Sequence, residues 1–421
     1  MSSFLPETLP QPTELVEAAE ELAEQIWLRR RTEPGGKPNW VAPRSTGLTE
    51  PVQTMPIGPY FYSGLAGISY FLAALYRVLG KEEQRARSLE VLQGVRAQVA
   101  SVLSSPARAQ NLRIGIGGTF GLGSLIYAFT RIGQFLEEPQ LVEEAHQLTL
   151  LLTPEKIATD RLLDIVTGSA GAILALLALQ ELRPDANGRG ASPLDVACDC
   201  AAHLLSQRSS FENGPRTWVT MEGRPPLSGF SHGAAGICYA LLRLYEKTGG
   251  LELLEAAKEG LAFERSTYAP EHGNWRDMRV LDKASPRFLT NWCHGAPGIA
   301  LGRLGALHVI DSPEIRNEIR AALDTTEALP QTLLDHLCCG NMGRVEILAY
   351  AAERLEEPCL LLAALDLVGR VLHRARKRGT FGCTDDPSEF DAAFFVGAAG
   401  IGYEMLRLAS GNVLPYPLLL G

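Results

Sequence analysis

A short glycine motif, repeated seven times, decides what this chain can fold into. Gly-x-x-Gly followed by a mostly apolar stretch occurs in YSGLAGISYFLAALYRV, GGTFGLGSLIYAF, TGSAGAILALLALQ, SHGAAGICYALLRLY, CHGAPGIALGRLGAL, CGNMGRVEILAY and VGAAGIGYEMLRL. The first glycines are Gly64, Gly118, Gly168, Gly233, Gly295, Gly340 and Gly397, about 45–65 residues apart. A unit recurring at such a period cannot bury its hydrophobic face alone, so neighbours stack into a solenoid or a closed array. Between these segments lie stretches of another kind, such as TELVEAAEELAEQIWLRR, EEQRARSLEVLQGVRAQVASVL and PEIRNEIRAALDTTE. Their apolar residues recur at helical spacing, with charges on the other face. Seven amphipathic helices thus alternate with seven that are apolar nearly all round, and the latter must be buried on every side. The simplest closed solution is a double ring with the apolar helices inside. The expected fold class is all-α, an α/α toroid, occupying residues 1–421 as a single domain.

Each Gly-x-x-Gly then falls at the start of an inner helix, where two readings of the glycines stand. They let seven helix ends crowd together, or they leave backbone N–H groups facing the central space, which suits an anionic group.

Charge and hydropathy narrow the class. Charged residues are 21% and hydrophobic ones 46%, an ordinary globular profile. The net charge is −9 and the basic residues are scattered, without the basic stripe of a nucleic-acid protein. The N-terminal MSSFLPETLPQPTELVEAAEELAEQ is acidic and has no apolar h-region. Runs such as AGAILALLAL are too short to span a bilayer. The expectation is a cytoplasmic protein with neither nucleic acid nor membrane as partner. In that compartment eight cysteines are buried, metal-binding or catalytic rather than a disulfide framework.

Three repeats carry reactive residues just before their first glycine: Ser231-His232-Gly233, Trp292-Cys293-His294-Gly295 and Cys338-Cys339-Gly340. The repeat places them at equivalent heights, so they converge on one mouth of the ring. Adjacent cysteines in a turn entering a helix can face one ion, and Cys293 supplies a third thiolate. Three soft ligands with a fourth position free make a catalytic Zn2+ site. A fourth ligand from His294 or His336 would make it a structural one, and both versions stand. Cys198, Cys200, Cys238, Cys359 and Cys383 sit at unrelated repeat positions and read as buried, inert thiols.

A tris-thiolate zinc is a weak Lewis acid and a good holder of an incoming thiol as thiolate. This points to thiol alkylation or conjugate addition. Conjugate addition forms an enolate that must be protonated at carbon. His232 is placed to be that general acid. Asp164, four residues before Gly168 at the same mouth, is placed to hold its imidazolium, or else is a plain helix-start carboxylate.

At these residues the chain resembles the LanC-like lanthionine cyclases: the repeated Gly-x-x-Gly, Ser-His-Gly-Ala-Ala-Gly at 231–236, Trp-Cys-His-Gly-Ala-Pro-Gly at 292–298 and Cys-Cys-Gly-Asn at 338–341. The resemblance implies an α/α toroid around zinc. The implied activity is intramolecular addition of peptide cysteine thiols to dehydroalanine or dehydrobutyrine, giving lanthionine or methyllanthionine rings. It implies Cys293, Cys338 and Cys339 as zinc ligands, His232 as the acid and Asp164 as its partner. Stand-alone cyclases of the family usually carry Cys-His-Gly where this chain has Cys338-Cys339-Gly340. That departure is similar to the C-terminal cyclase domain of class II (LanM-type) synthetases with three cysteine ligands. An arginine and a tyrosine that some members place around the first zinc cysteine are Leu289 and His294 here. His294 is left as a second acid or a substrate contact.

The implied partner is a dehydrated precursor peptide with its leader, supplied by a dehydratase domain or protein; no kinase-like or dehydratase segment is read in this chain. The competing reading is a non-catalytic zinc and thiol (glutathione-like) binding protein on the same scaffold. A carbohydrate enzyme on an α/α barrel would need paired carboxylates in the mouth, where only Asp164 is found. The connections at 31–60, 208–230 and 267–290 are expected to wall the mouth, with Trp218, Trp275 and Arg276 as peptide contacts or loop anchors.

Overall fold

A computed structural model describes residues 9–33, 36–44, 53–183, 192–280, 282, 285–386 and 389–421. Fourteen helices build two concentric rings. The outer ring is α1 (Pro12–Leu28), α3 (Glu82–Leu103), α5 (Pro139–Thr149), α7 (Pro193–Ser206), α9 (Leu251–Ser266), α11 (Pro313–Ala328) and α13 (Pro358–Arg378). The inner ring is α2 (Leu65–Leu79), α4 (Leu122–Leu136), α6 (Ser169–Leu182), α8 (Ala234–Thr248), α10 (Ala296–Gly305), α12 (Asn341–Leu355) and α14 (Ala398–Ser410). Each inner helix packs on the next, and α14 returns to α2, which closes the ring. Each inner helix also packs on the outer helix that follows it, and α14 takes α1. The α/α toroid expected from the sequence is therefore the observed architecture.

Local chemistry sets the boundaries. Five outer helices begin with proline, whose missing N–H costs nothing at a first turn. Ser192 and Ser312 cap two of them by accepting the Asp195 and Ile315 N–H groups at 3.1 and 3.3 Å. Inner helices α2 and α8 stop at left-handed Gly80 and Gly249.

The glycines at the inner helix starts serve packing. The first helical N–H of five inner helices is spent on the carbonyl seven residues back, as in Leu65 N–H to Gly58 O at 2.9 Å and Asn341 N–H to Leu334 O at 3.0 Å, and in the other two Ser169 N–H donates to Asp160 Oδ2 at 2.7 Å and Ala296 N–H to Asn274 Oδ1 at 2.9 Å. They do not form a free anion cradle, so that second reading of the motif is set aside. A Cβ on Gly298 would lie 2.0 Å from the Trp292 carbonyl, because the entry loop folds directly onto the helix. One register differs from the sequence reading. In the second repeat the helix is capped by Gly121, not Gly118, and Leu122 N–H reaches Gly115 O at 2.9 Å.

The bore is filled. Phe61 stacks on Phe394 with ring centroids 4.8 Å apart, Tyr70 meets Tyr403 at 5.1 Å, and Trp292 meets Phe395 at 5.2 Å. Leu418, Leu419 and Leu420 are buried below them, and Trp292 Nε1–H donates to the Leu418 carbonyl at 3.2 Å. Short two-stranded ladders lie in the three long connections, for example Tyr268–Ala269 with Asn274–Trp275. Trp218 and Trp275 are buried there as loop anchors, Trp218 donating to the Leu204 carbonyl at 2.8 Å. Among the described residues no helix is long and apolar enough to cross a membrane.

Candidate active site

The loops entering the inner helices meet in a belt of backbone hydrogen bonds around the mouth. Tyr62 N–H donates to Thr119 O, Thr119 N–H to Val166 O, Ile165 N–H to Ser231 O and Ser231 N–H to Cys293 O. On the far side Cys338 N–H donates to Phe395 O and Phe395 N–H to Tyr62 O. Among the described residues, the junction between the fifth and sixth repeats has no such bond. Side chains meet there instead. Cys293 Sγ lies 3.5 Å from Cys339 Sγ, and Cys339 Sγ lies 3.3 Å from Cys338 Sγ.

These three sulfurs lie within 4.8 Å of one another, and among the described residues they form the sole cluster of potential metal ligands. A tetrahedral ion about 2.3 Å from each sulfur keeps its sulfurs roughly 3.8 Å apart. The spacing therefore fits zinc with little movement. The donor set is soft, which suits the same metal. The adjacent cysteines belong to a turn: Gly340 N–H closes on His336 O at 3.0 Å, and Cys339 N–H donates to His336 Nδ1 at 3.3 Å. His336 is thus spent on shaping the turn. Neither it nor His294 joins the cluster, which leaves a fourth position open. Contacts with the Cys293 and Cys338 sulfurs hold the Cys339 thiol well below its usual range, and Cys339 is the least buried of the three.

Asp164 and His232 are brought together from neighbouring repeats. His232 Nδ1 donates to Asp164 Oδ2 at 2.6 Å. Asp164 is buried, and its other oxygen accepts from the Thr167 N–H and hydroxyl at 2.7 and 3.0 Å. The His232 side chain keeps 33% exposure, so its second nitrogen is open to the mouth. His294 lies between the two clusters, its ring 5.9 Å from that of His232 and its backbone next to Cys293. Burial first, then the charges of Arg279 and His232, pull its imidazole down to about 4, so it is neutral at pH 7.

Two side chains at the site were not legible beforehand. Arg279 is held by Asp277 through bonds of 2.9 and 2.9 Å and is electrostatically coupled to Cys293 and Cys339. It comes from a long connection that has no periodicity to place it. Tyr62 stacks on Phe395 at 5.0 Å and brings its phenol to Cys338; burial, then that sulfur, pushes the phenol up. Of the cysteines read as inert, Cys200, Cys238 and Cys383 are buried. Cys198 and Cys359 are exposed, because each occupies the outward face of an outer helix.

The family model described as lanthionine synthetase C-like protein matches residues 56–420. A protein of Danio rerio, glutathione S-transferase LANCL1, is 24% identical over 379 residues, covering 85% of this chain and 84% of that one. The LanC-like protein GCL1 of Arabidopsis thaliana is 24% identical over 373 residues, covering 82% and 77%. The solved structure of nisin cyclase superposes with a TM-score of 0.62 at 14% identity, covering 97% of this chain and 96% of that one.

Proposed function

As the chain belongs to the lanthionine synthetase C-like family, we propose that it is a lanthipeptide cyclase, closing thioether rings in dehydrated peptides. The observation that carries this reading is the pairing of two clusters in one mouth. Three cysteine sulfurs suited to zinc lie on one side, and a carboxylate-held histidine with a free nitrogen lies on the other. Zinc held by Cys293, Cys338 and Cys339 would supply the charge that keeps an incoming cysteine sulfur as thiolate at neutral pH.

The protein's own residues account for the rest. Sulfur attacks the β-carbon of dehydroalanine or dehydrobutyrine, a C–S bond forms, and the π electrons move toward the peptide carbonyl. His232 delivers its Nε2 proton to the α-carbon as general acid. Asp164 keeps Nδ1 as the donor to itself and leaves Nε2 aimed at the substrate. The proton released by the thiol restores the imidazolium. His294, neutral beside this path, serves as a contact to the substrate rather than as a second acid, and Arg279 balances the negative charge of the sulfur side. Reduced thiols of this kind suit a cytosolic location.

The pair Cys338-Cys339 supports a place beside the three-cysteine cyclase domains of class II synthetases. The peptide would then arrive with its leader, already dehydrated by a dehydratase domain or protein. A second reading is supported by the name of the Danio rerio relative: the same sulfur cluster would hold glutathione or a similar thiol, without closing rings.

Ring closure leaves mass unchanged, so the test counts thiols. Zinc-loaded protein is mixed with a dehydrated, leader-bearing peptide, remaining thiols are alkylated, and adducts are counted by mass spectrometry. Faster thiol loss than without protein, with fragmentation showing rings, is expected. No difference across several peptides, with glutathione protected from alkylation by the protein, would replace this reading with the second.

A further inference from the structure

The sulfur cluster has a second chemistry open to it. Three thiols within 4.8 Å of one another can share a metal, and two of them can share a bond. Cys339 has both partners in reach, Cys338 Sγ at 3.3 Å and Cys293 Sγ at 3.5 Å. A disulfide places its sulfurs about 2.05 Å apart, so either pair must close by roughly 1.2–1.5 Å.

Backbone geometry chooses between the pairs. Cys338 and Cys339 are neighbours in sequence, so one peptide holds their Cα atoms about 3.8 Å apart. Disulfides favour about 4.4–6.8 Å, and a bridge between neighbours is strained. Cys293 comes from another repeat, and no shared peptide restrains it. The junction it must cross is the one that, among the described residues, carries no main-chain bond. The two turns already lie close there, with the Asn291 side-chain amide 3.3 Å from the Cys339 carbonyl. They can close on each other without breaking the belt. Exposure sets the order of events. Cys293 and Cys338 are buried, whereas Cys339 is only partly so. An oxidant from solvent meets Cys339 first, and Cys293 stands next to it as the resolving thiol.

We propose that Cys339 and Cys293 form a thiol–disulfide switch, which empties the metal site in the presence of a peroxide and turns ring closure off. The Cys339 sulfur takes one peroxide oxygen: the O–O bond breaks, a sulfenic acid forms and the other oxygen leaves as water. Cys293 then attacks that sulfur: the S–S bond forms, the S–O bond breaks and the second oxygen leaves as water. The two thiols give up two electrons, the peroxide is reduced to two waters, and solvent supplies the protons where a sulfur starts as thiolate. Cys338 is then the last sulfur left, and one ligand does not hold zinc. The disulfide bridges the open junction in place of the metal, so the belt stays closed. A dithiol reverses the step by thiol–disulfide exchange. The switch rests on the zinc and cyclase readings above.

The test treats the zinc-loaded full chain with hydrogen peroxide. Exposed Cys198 and Cys359 are first changed to serine, so that no bridge forms between molecules. Released zinc is read with a chromogenic chelator, free thiols are blocked, and peptides are mapped without reduction. One zinc is expected to leave for each Cys293–Cys339 disulfide, with ring closure lost in proportion. Dithiothreitol and added zinc should restore both. Amide exchange at Ser231 and Cys338 should stay slow in the oxidised protein and speed up in the reduced, chelated one. In Cys293→Ser the resolving thiol is gone, and Cys339 should run on to sulfinic acid, which thiols do not reverse. Zinc retained after peroxide, a Cys338–Cys339 disulfide, or sulfinic acid at Cys339 in the protein that keeps Cys293 would each overturn the switch and leave ring closure by the reduced protein as it stands. A reversible Cys293–Cys339 disulfide in a protein that closes no rings when reduced would overturn the cyclase reading and keep the switch.

Discussion

Cys293 Sγ stands 3.5 Å from Cys339 Sγ across the one repeat junction that, among the described residues, no backbone hydrogen bond bridges. A metal bound by these sulfurs would close the belt that the other six junctions close with main-chain bonds. Its removal should therefore be felt as local opening, not as loss of the helical rings. Cys339→Ala would remove one of the three proposed ligands. Structural zinc binds with about 10–16 kcal/mol over four ligands, so one ligand is worth roughly 3 kcal/mol, or about a hundredfold in affinity. Chelation or this substitution should speed amide exchange at Ser231 and Cys338 while far-UV circular dichroism stays unchanged. Full zinc content and unaltered exchange in Cys339→Ala would take Cys339 out of the site.

Asp164→Asn keeps the shape of the buried side chain and removes its charge. The amide still accepts from Thr167 but no longer offers a carboxylate to the His232 ring at 2.6 Å. Ring closure in a single turnover should slow by about 10²-fold, at the lower end of what a general acid contributes. Zinc content and melting temperature should stay near those of the unmutated protein. Closure at the original rate would reduce Asp164 to a helix-start carboxylate.

The double ring was legible because each repeat carries its own glycines and its own apolar face, so seven local signals agree. The sulfur cluster was legible for a related reason. Cys293 and Cys338 hold the same position two residues before their capping glycine, and Cys339 the next one, so the repeat converts sequence register into height in the mouth. The same logic failed for Gly118. GGTFGLG holds more glycines than one helix start needs, and only the bond from Leu122 N–H to Gly115 O selects Gly121. Arg279 was not legible at all. It comes from a connection without periodicity, where position depends on contacts such as Asp277 N–H to Arg287 O.

Gly298→Ala tests the packing account of the motif. Its Cβ would meet the Trp292 carbonyl at 2.0 Å and the Phe230 Cβ at 2.8 Å, so the loop that carries Cys293 must move. Overpacking of this kind costs about 1–3 kcal/mol. The denaturation midpoint should fall, and zinc affinity should fall with it. Gly94→Ala is the control. Gly94 lies inside α3 with only the Lys37 side chain near, at 3.5 Å, and alanine there should stabilise by about 0.5–1 kcal/mol. Equal effects from the two substitutions would refute the packing account.

Glu264 links the wall of the toroid to the acid loop. One oxygen accepts from the Gly229 N–H at 2.8 Å, and the other takes Arg303 Nη1 at 2.7 Å, with both side chains fully buried. Gly229 sits at φ +103, where a Cβ would press on the Cys293 carbonyl at 2.9 Å, so this short segment touches both the histidine and the cysteine repeats. Glu264→Ala should cost about 3–5 kcal/mol in chemical denaturation, because Arg303 is left buried with Glu318 as its remaining acidic partner. Glu264→Gln keeps an acceptor for Gly229 and should recover part of that loss. If the alanine and glutamine variants lose stability equally, the bond to Gly229 contributes nothing and the cost is that of Arg303 alone. If glutamine recovers stability, the same variant should also recover ring closure, since the loop then holds His232 where Asp164 can reach it.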